Sequence, residues 1–211
     1  MTQTGAGPNG GFGGAGDVWN SYVTPPGFAE DFAARPLNNL VDSTGAATGV
    51  DLTFTGVGGA FKVDWMGDDL TSDGIYCYPG LVGYTYDGYY ANPQYTTTMT
   101  DSIEWELSGL TAGGSYQMAN YSSDNTMFNI DMTIDTNGDG DLSDETPFTV
   151  VADGTPDFTS ITASAGGTIS GSLTTAAGID EGHWSGFQLI PEPATVALLG
   201  LGGLVLRRRR S

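Results

Sequence analysis

Short runs in which every second residue is apolar constrain the fold of this chain more than any other feature of its sequence. In "VDLTFT" (50 to 55), "IEWELS" (103 to 108) and "FNIDMTID" (128 to 135), apolar residues alternate with polar ones. Since successive side chains of a strand point to opposite faces, each run predicts a strand with one face in a core and the other in water. The predicted core-facing residues are Val50, Leu52, Phe54, Ile103, Trp105, Leu107, Phe128, Ile130, Met132 and Ile134.

Turn-forming residues separate these runs. The chain has 33 glycines and 10 prolines, with many Thr, Ser, Asn and Asp residues, whereas good helix formers are scarce. Weaker strand candidates lie at residues 60 to 65, 115 to 122, 147 to 151, 158 to 163, 167 to 173 and 184 to 190. About nine short strands predict an all-β fold, an antiparallel β-sandwich or jelly roll.

The chain divides into three predicted parts. Residues 1 to 16, "MTQTGAGPNGGFGGAG", predict a flexible glycine-rich leader. They lack the basic segment followed by an apolar segment that marks a secretory signal peptide. Residues 17 to 190 predict the β-sandwich domain, and residues 191 to 211 a separate tail that contains a short hydrophobic helix.

Charge also separates the tail from the rest. The formal net charge is −19, although four of the six basic residues are the arginines at 207 to 210. The remainder has a net charge of about −23, because only Arg35 and Lys62 oppose 25 acidic residues. Such a field repels phosphate backbones, so the composition excludes nucleic acid as a partner.

An acidic segment, "DTNGDGDLSDE" at residues 135 to 145, is the clearest chemical feature of the domain. Calcium takes about six to eight oxygen ligands. Asp, Asn and Asp at the first, third and fifth positions, followed by glycine, supply oxygens around a sharp turn. The segment resembles the calcium loops of EF-hands, dockerins and thrombospondin-type repeats. The candidate ligands of a structural Ca2+ are Asp135, Asn137, Asp139, Asp141, Asp144 and Glu145.

This segment departs from the EF-hand pattern at its end. An EF-hand has a bidentate glutamate at the twelfth position, where this chain has Thr146. Asp144 and Glu145 come one or two places early, and the flanks predict strands rather than helices. The sequence therefore leaves two interpretations open, a calcium-binding hairpin loop or an acidic hairpin tip, since Asn-Gly and Asp-Gly are themselves turn dipeptides.

Other candidate sites have weaker patterns. Seven tyrosines between residues 76 and 95 are of the kind that stack on sugar rings or form contact surfaces, but tyrosine also packs ordinary strands. We expect His183 to be a surface or rim residue, because the chain has no G-x-S-x-G motif that would supply the serine nucleophile of a Ser-His-Asp triad. The acidic pairs at 68 to 69 and 180 to 181 resemble glycosidase carboxylates only in residue type. We therefore expect a protein without enzymatic activity.

The last residues form three ordered elements. Pro191, Glu192 and Pro193 come first. The apolar run "ATVALLGLGGLVL" follows, and as a helix it would be ~20 Å long, shorter than the ~30 Å hydrocarbon core of a membrane. An arginine cluster that would stay on the cytoplasmic side comes last. The cluster consists of Arg207, Arg208, Arg209 and Arg210. This order resembles the sorting tail of PEP-CTERM proteins.

The resemblance implies a route for the protein. In that family, an exosortase-type membrane protease is thought to recognise the tail and cut near the motif during export. The chain would be anchored transiently in the inner membrane and then reach the cell surface or the extracellular space. Members carry an N-terminal signal peptide, so we expect the start of this chain to be truncated or misassigned.

The body resembles exported bacterial β-sandwich proteins related to galactose-binding-like domains. The resemblance rests on "WN" at 19 to 20, "LVDSTGAATGVDLTFTG" at 40 to 56, "WELSGLTAGGSYQMANYSS" at 105 to 123 and "WSGFQLIPEP" at 184 to 193. It implies the sandwich and not sugar binding.

The sequence as a whole predicts an exported structural or adhesive protein of the cell surface or extracellular matrix, with exopolysaccharide as a candidate partner. Two alternatives remain open at this stage. One is a carbohydrate-binding module that uses the tyrosine-rich segment, and the other is a secreted hydrolase that uses paired carboxylates.

Overall fold

A computed structural model of the chain describes residues 2 to 4, 18 to 20, 36 to 56, 62 to 63, 75 to 77, 84 to 85, 96 to 97, 102 to 122, 129 to 153, 155 to 177, 182 to 184 and 186 to 192. Every regular element within these residues is a strand, and all the strand pairings are antiparallel. The predicted all-β fold is therefore confirmed, while the predicted C-terminal helix lies outside the described residues.

The strands are, in chain order, β1 (Thr2–Thr4), β2 (Val18–Asn20), β3 (Leu37–Val41), β4 (Ala47–Gly56), β5 (Lys62–Val63), β6 (Ile75–Cys77), β7 (Tyr84–Thr85), β8 (Thr96–Thr97), β9 (Ser102–Ser108), β10 (Ser115–Tyr121), β11 (Ile130–Ile134), β12 (Phe148–Val150), β13 (Asp157–Thr162), β14 (Ile169–Thr175), β15 (Gly182–Trp184) and β16 (Gly186–Pro191).

Two sheets build the sandwich. The larger has six strands in the order β12-β11-β14-β9-β4-β3, and the smaller has three in the order β13-β10-β16. One cluster of buried side chains joins them, with members on β4, β9, β11 and β14 from the larger sheet and on β10 and β13 from the smaller. Elsewhere in the described residues, β15, β6 and β5 form a third sheet, and β1-β2 and β7-β8 form two strand pairs.

The predicted alternation decides which side chains enter this core. On β9, Ile103, Trp105 and Leu107 are buried, whereas Glu104 and Glu106 between them are exposed. The same alternation places Leu52 of β4 and three residues of β11 in the core; the latter are Ile130, Met132 and Ile134. Each such apolar side chain contributes about 1.5–3 kcal/mol by leaving water. Phe128, the fourth predicted residue of that run, lies outside the described residues.

Strand β3 takes a place in the larger sheet that the alternation does not predict. Its pairing with β4 shifts register between Leu37 and Leu40. Between them, Asn39 has a φ of 53°, a left-handed conformation that asparagine tolerates better than most residues. The Asn39 N–H donates to the Asp51 carboxylate (2.6 Å), and its side-chain oxygen accepts from the Gly49 N–H (3.1 Å). A bulge of this kind interrupts the alternation of apolar and polar side chains, so the alternation does not predict the strand.

The single strand predicted at 184 to 190 is wrong in one respect, because the segment belongs to two strands in different sheets. Strand β15 pairs with β6, whereas β16 pairs with β10. The rings of Trp184 and Phe187 stack with their centroids 5.4 Å apart. Residues three apart on one regular strand point to opposite faces, so this contact agrees with the assignment of Trp184 and Phe187 to different strands.

Candidate functional site

The acidic segment connects β11 to β12, which are antiparallel neighbours at one edge of the larger sheet. Its flanks are strands, as the sequence predicts. Two backbone bonds secure its start: the Asp135 N–H donates to the Ser170 carbonyl (3.0 Å), and the Thr136 carbonyl accepts from the Thr162 N–H (2.9 Å). The segment, called the acidic loop below (residues 135 to 145), is therefore tied to both sheets.

Asp135 organises the first half of the acidic loop. Its side chain is 2% exposed, and its two carboxylate oxygens accept hydrogen bonds from the N–H groups of Gly138 (2.7 Å) and Gly140 (2.8 Å). Both glycines have left-handed backbones, with φ of 81° and 84°. A β-carbon at Gly138 would also lie 2.8 Å from the Thr162 carbonyl oxygen. The turn therefore requires glycine at position 138 both for backbone angle and for space.

Three further polar side chains form hydrogen bonds with the backbone in the exposed part of the loop. The side-chain oxygens of Asn137, Asp139 and Asp141 each accept from the N–H two residues ahead, at 2.8 Å. These are Asx turns, in which a short polar side chain replaces a backbone carbonyl. The hydrogen bonds from the Ser143 side chain and backbone hold the pKa of Asp141 below its ordinary value.

Glu145 joins the two ends of the loop. Its carboxylate accepts hydrogen bonds from the N–H (2.7 Å) and the hydroxyl (2.9 Å) of Thr136, nine residues earlier. Asp144 accepts a weaker bond from the side-chain amide of Asn137 (3.3 Å). The pattern did not identify Thr136, because a threonine beside the first aspartate resembles any other turn residue. Only the path of the chain brings it to Glu145.

The six predicted calcium ligands thus lie in one loop, but their oxygens are directed at N–H and hydroxyl groups of the loop itself. Among the described residues, no group of three or more His, Cys, Asp or Glu side chains is arranged to hold a metal ion. In this conformation the loop satisfies its own carboxylates. Calcium binding remains a prediction for solution experiments.

The C-terminal motif begins inside the sandwich. Strand β16 pairs with β10, with Leu189 opposite Met118 and Pro191 opposite Tyr116. One residue further, the Glu192 N–H donates to the Ser115 carbonyl (2.9 Å), although the side chains of Pro191 and Glu192 are exposed. Pro193 and the arginines at 207 to 210 lie outside the described residues, as does the predicted hydrophobic helix.

The structure does not describe the side chains of the remaining candidates. The backbone of His183 lies in β15, opposite Tyr76 of β6. The acidic pairs at 68 to 69 and 180 to 181 lie outside the described residues. In the part of the chain that is described, no helix has the length and hydrophobicity needed to cross a membrane.

Comparison with known protein families identifies a PEP-CTERM protein-sorting motif at residues 189–210. This motif supports export of the chain and its sorting by an exosortase system. Neither the curated proteins nor the solved structures contain a significant match to the chain. The predicted likeness to galactose-binding-like domains is not confirmed by any match, so it stays a prediction.

Proposed function

We propose that this chain is an exported, non-enzymatic protein of the cell surface or extracellular matrix, which an exosortase-type membrane protease releases from a transient inner-membrane anchor. The observation that carries the proposal is the sorting motif at residues 189–210, which overlaps the end of strand β16 and extends beyond it. The sandwich is then the delivered part, and the hydrophobic run and the arginines are the delivery signal.

Two of the described carboxylates, those of Asp42 and Asp153, have structural roles in turns, which supports a structural protein rather than a hydrolase. The Asp42 carboxylate accepts bonds from the hydroxyl (2.7 Å) and N–H (2.9 Å) of Thr44 and from the Ala46 N–H (3.0 Å). These bonds hold its pKa below the ordinary value, with the Thr44 hydroxyl as the largest cause. Asp153 holds Thr155 in the same way. Carboxylates that maintain turns at low pKa stay ionised and are poorly suited to act as general acids.

The outer face of the larger sheet fits a role at a hydrated surface. Thr55, Glu104, Ser172 and Thr133 lie side by side across four strands, and all four are polar. Such a face presents hydroxyls and carboxylates to a matrix of hydrated polymer. Exopolysaccharide is the partner that this chemistry suits, because hydroxyl groups donate to carboxylates and accept from hydroxyls.

A structural calcium ion in the acidic loop belongs to the same proposal. Six side chains with a carboxylate or amide oxygen lie within residues 135 to 145, in a domain that carries strong negative charge. Two left-handed glycines already provide the sharp turn that such a loop needs. On binding, the carboxylates would exchange bonds to N–H groups for bonds to the cation.

Mass spectrometry of the surface and medium fractions of the producing bacterium tests the proposal. We expect a mature protein without "RRRRS" and an unprocessed chain in membranes when the exosortase gene is deleted. Surface protein that retains the arginines in the presence of the exosortase would contradict processing. Hydrolytic activity of the purified sandwich on polysaccharides would contradict the non-enzymatic assignment.

A further inference from the structure

We infer that the folded sandwich sets the N-terminal limit of tail cleavage, so that the cut falls after Glu192 and the mature protein keeps strand β16 complete. The inference rests on the proposed function, since it specifies where the processing enzyme acts. It arises from an overlap: the sorting motif begins at residue 189, whereas backbone pairing with the sandwich continues to Glu192.

The hydrogen-bond ladder shows how these residues are held. In an antiparallel pair, hydrogen-bonded and non-bonded positions alternate. The bond from the Glu192 N–H to the Ser115 carbonyl makes position 192 a bonded one, so Ile190 and Gln188 are bonded and Pro191 is not. Proline has no N–H to donate, and the non-bonded position on this outer strand of the three-stranded sheet is where it loses nothing. The first proline of the motif therefore fits the strand and does not end it.

Side-chain packing anchors the same strand from within. Phe187 and Leu189 pack against the buried core, opposite Asn120 and Met118 of β10. The Phe187 ring also stacks on the buried Trp184. Detaching β16 would expose these contacts along with the ladder, so spontaneous opening of this strand is rare.

The first two residues of the Pro-Glu-Pro motif are nevertheless accessible on the folded protein. The side chains of Pro191 and Glu192 are exposed, although their backbone belongs to the ladder. A processing enzyme can therefore contact the Pro-Glu pair while the sandwich stays folded. The fold separates recognition of the motif from access to the peptide bonds that precede it.

The chemistry makes this separation consequential. In hydrolysis, the oxygen of water bonds to the scissile carbonyl carbon, the carbon–nitrogen bond breaks, and the nitrogen leaves as the amine of the tail fragment with the proton from water. The attack requires an extended segment free of other strands. The peptide bonds up to residue 192 meet that condition only when β16 detaches from β10. The rate of cleavage at these bonds is then proportional to the small fraction of molecules in which the strand is detached. Cleavage after Glu192 leaves the pairing of β10 with β16 intact from Gly186 to Glu192.

The mature C terminus from the producing bacterium is the direct test. Peptide mapping should place it at Glu192 or later. A terminus anywhere between residues 186 and 191 would overturn the inference and leave the proposed function standing. A surface chain that retains the four arginines would overturn the proposed function instead, and the protease experiment then decides the strand's role alone.

That second experiment uses the purified full chain and a broad-specificity protease at low dose. We expect the first stable fragment of the wild type to end at Glu192 or later. Phe187→Asp removes a core contact outside the matched motif, and it should raise cleavage between residues 186 and 192 at least tenfold. Ser160→Asp places the same carboxylate at an exposed position of the same sheet and should behave as wild type. If Phe187→Asp does not fold, Phe187→Ala replaces it, and equal cleavage in variant and control would overturn the inference.

Discussion

The indole of Trp105 lies so close to Gly171 on the neighbouring strand that a β-carbon at position 171 would come within 2.6 Å of the ring atom Cζ2. The two residues are direct cross-strand partners on β9 and β14. Trp105 also contacts Trp184, with ring centroids 5.3 Å apart. The missing side chain at Gly171 thus makes room for an aromatic cluster at the centre of the sandwich.

Gly171→Ala should destabilise the domain. The added methyl group would contact the Trp105 ring on one side and the Thr133 carbonyl oxygen, also 2.6 Å away, on the other. Overpacking of this kind costs about 1–3 kcal/mol. Urea unfolding followed by tryptophan fluorescence measures the loss. Gly166→Ala is the control, because its β-carbon would meet only the Ser164 hydroxyl oxygen at 3.5 Å. Equal stability of the two variants would show that Trp105 can move aside.

Alternation predicted the strands in which every residue obeys it. Strand β9 is the clearest case, because burial follows the pattern from Ile103 to Leu107 without exception. Strand β3 could not be found in this way, since the left-handed backbone of Asn39 breaks the period of two. The division of residues 184 to 190 between β15 and β16 was not predictable for a different reason: it depends on pairing with β6 and with β10, and no local pattern encodes those partners.

The acidic loop was predictable in position but not in its bonds. Its glycines and the strands on either side are visible in the sequence, and the hairpin follows from them. The partner of each carboxylate depends on the path of the turn in space. The Glu145 to Thr136 contact is an example, because sequence spacing alone would direct Glu145 to a metal as readily as to a backbone N–H.

Asp135→Ala should loosen the loop in calcium-free buffer. The change leaves the Gly138 and Gly140 N–H groups without their acceptor. The loss of each hydrogen bond to this buried carboxylate costs about 1.5–3 kcal/mol of folding free energy. Denaturant unfolding gives the change in stability, and hydrogen exchange locates it. Asp144→Ala removes an exposed carboxylate from the same loop, which accepts a long bond of 3.3 Å from Asn137, and should change little. A larger loss for Asp144→Ala would contradict the role assigned to Asp135.

Millimolar calcium should raise the melting temperature of the wild-type protein. A ligand that binds only the folded state at a hundred times its Kd stabilises that state by about 2.7 kcal/mol. Asp139→Ala should abolish the response, since it removes a proposed ligand, whereas Asp153→Ala, outside the loop, should retain it. Differential scanning calorimetry with and without calcium provides the measurement. An unchanged wild-type melting curve would identify the loop as an acidic hairpin tip.

Alkaline pH should destabilise the sandwich through Tyr121. Burial raises the pKa of this tyrosine from 10.0 to about 12, and its hydroxyl donates to the side-chain oxygen of Gln188 on β16. Between these two values the unfolded chain releases the proton and the folded chain keeps it, so stability falls as pH rises from 10 towards 12. Urea unfolding across this range should show a smaller decline for Tyr121→Phe. Identical slopes would indicate that other groups cause the alkaline loss.

Two truncations should separate the delivery signal from the fold. A stop codon after Glu192 keeps the ladder between β10 and β16 from Gly186 to Glu192, so we expect the melting temperature of the full chain. A stop codon after Gly186 removes the core contacts of Phe187 and Leu189. Losses of about 2–5 kcal/mol for each large core side chain approach the total stability of a domain, about 5–15 kcal/mol. The shorter protein should therefore be largely unfolded by circular dichroism, and a folded product would show that β16 is dispensable.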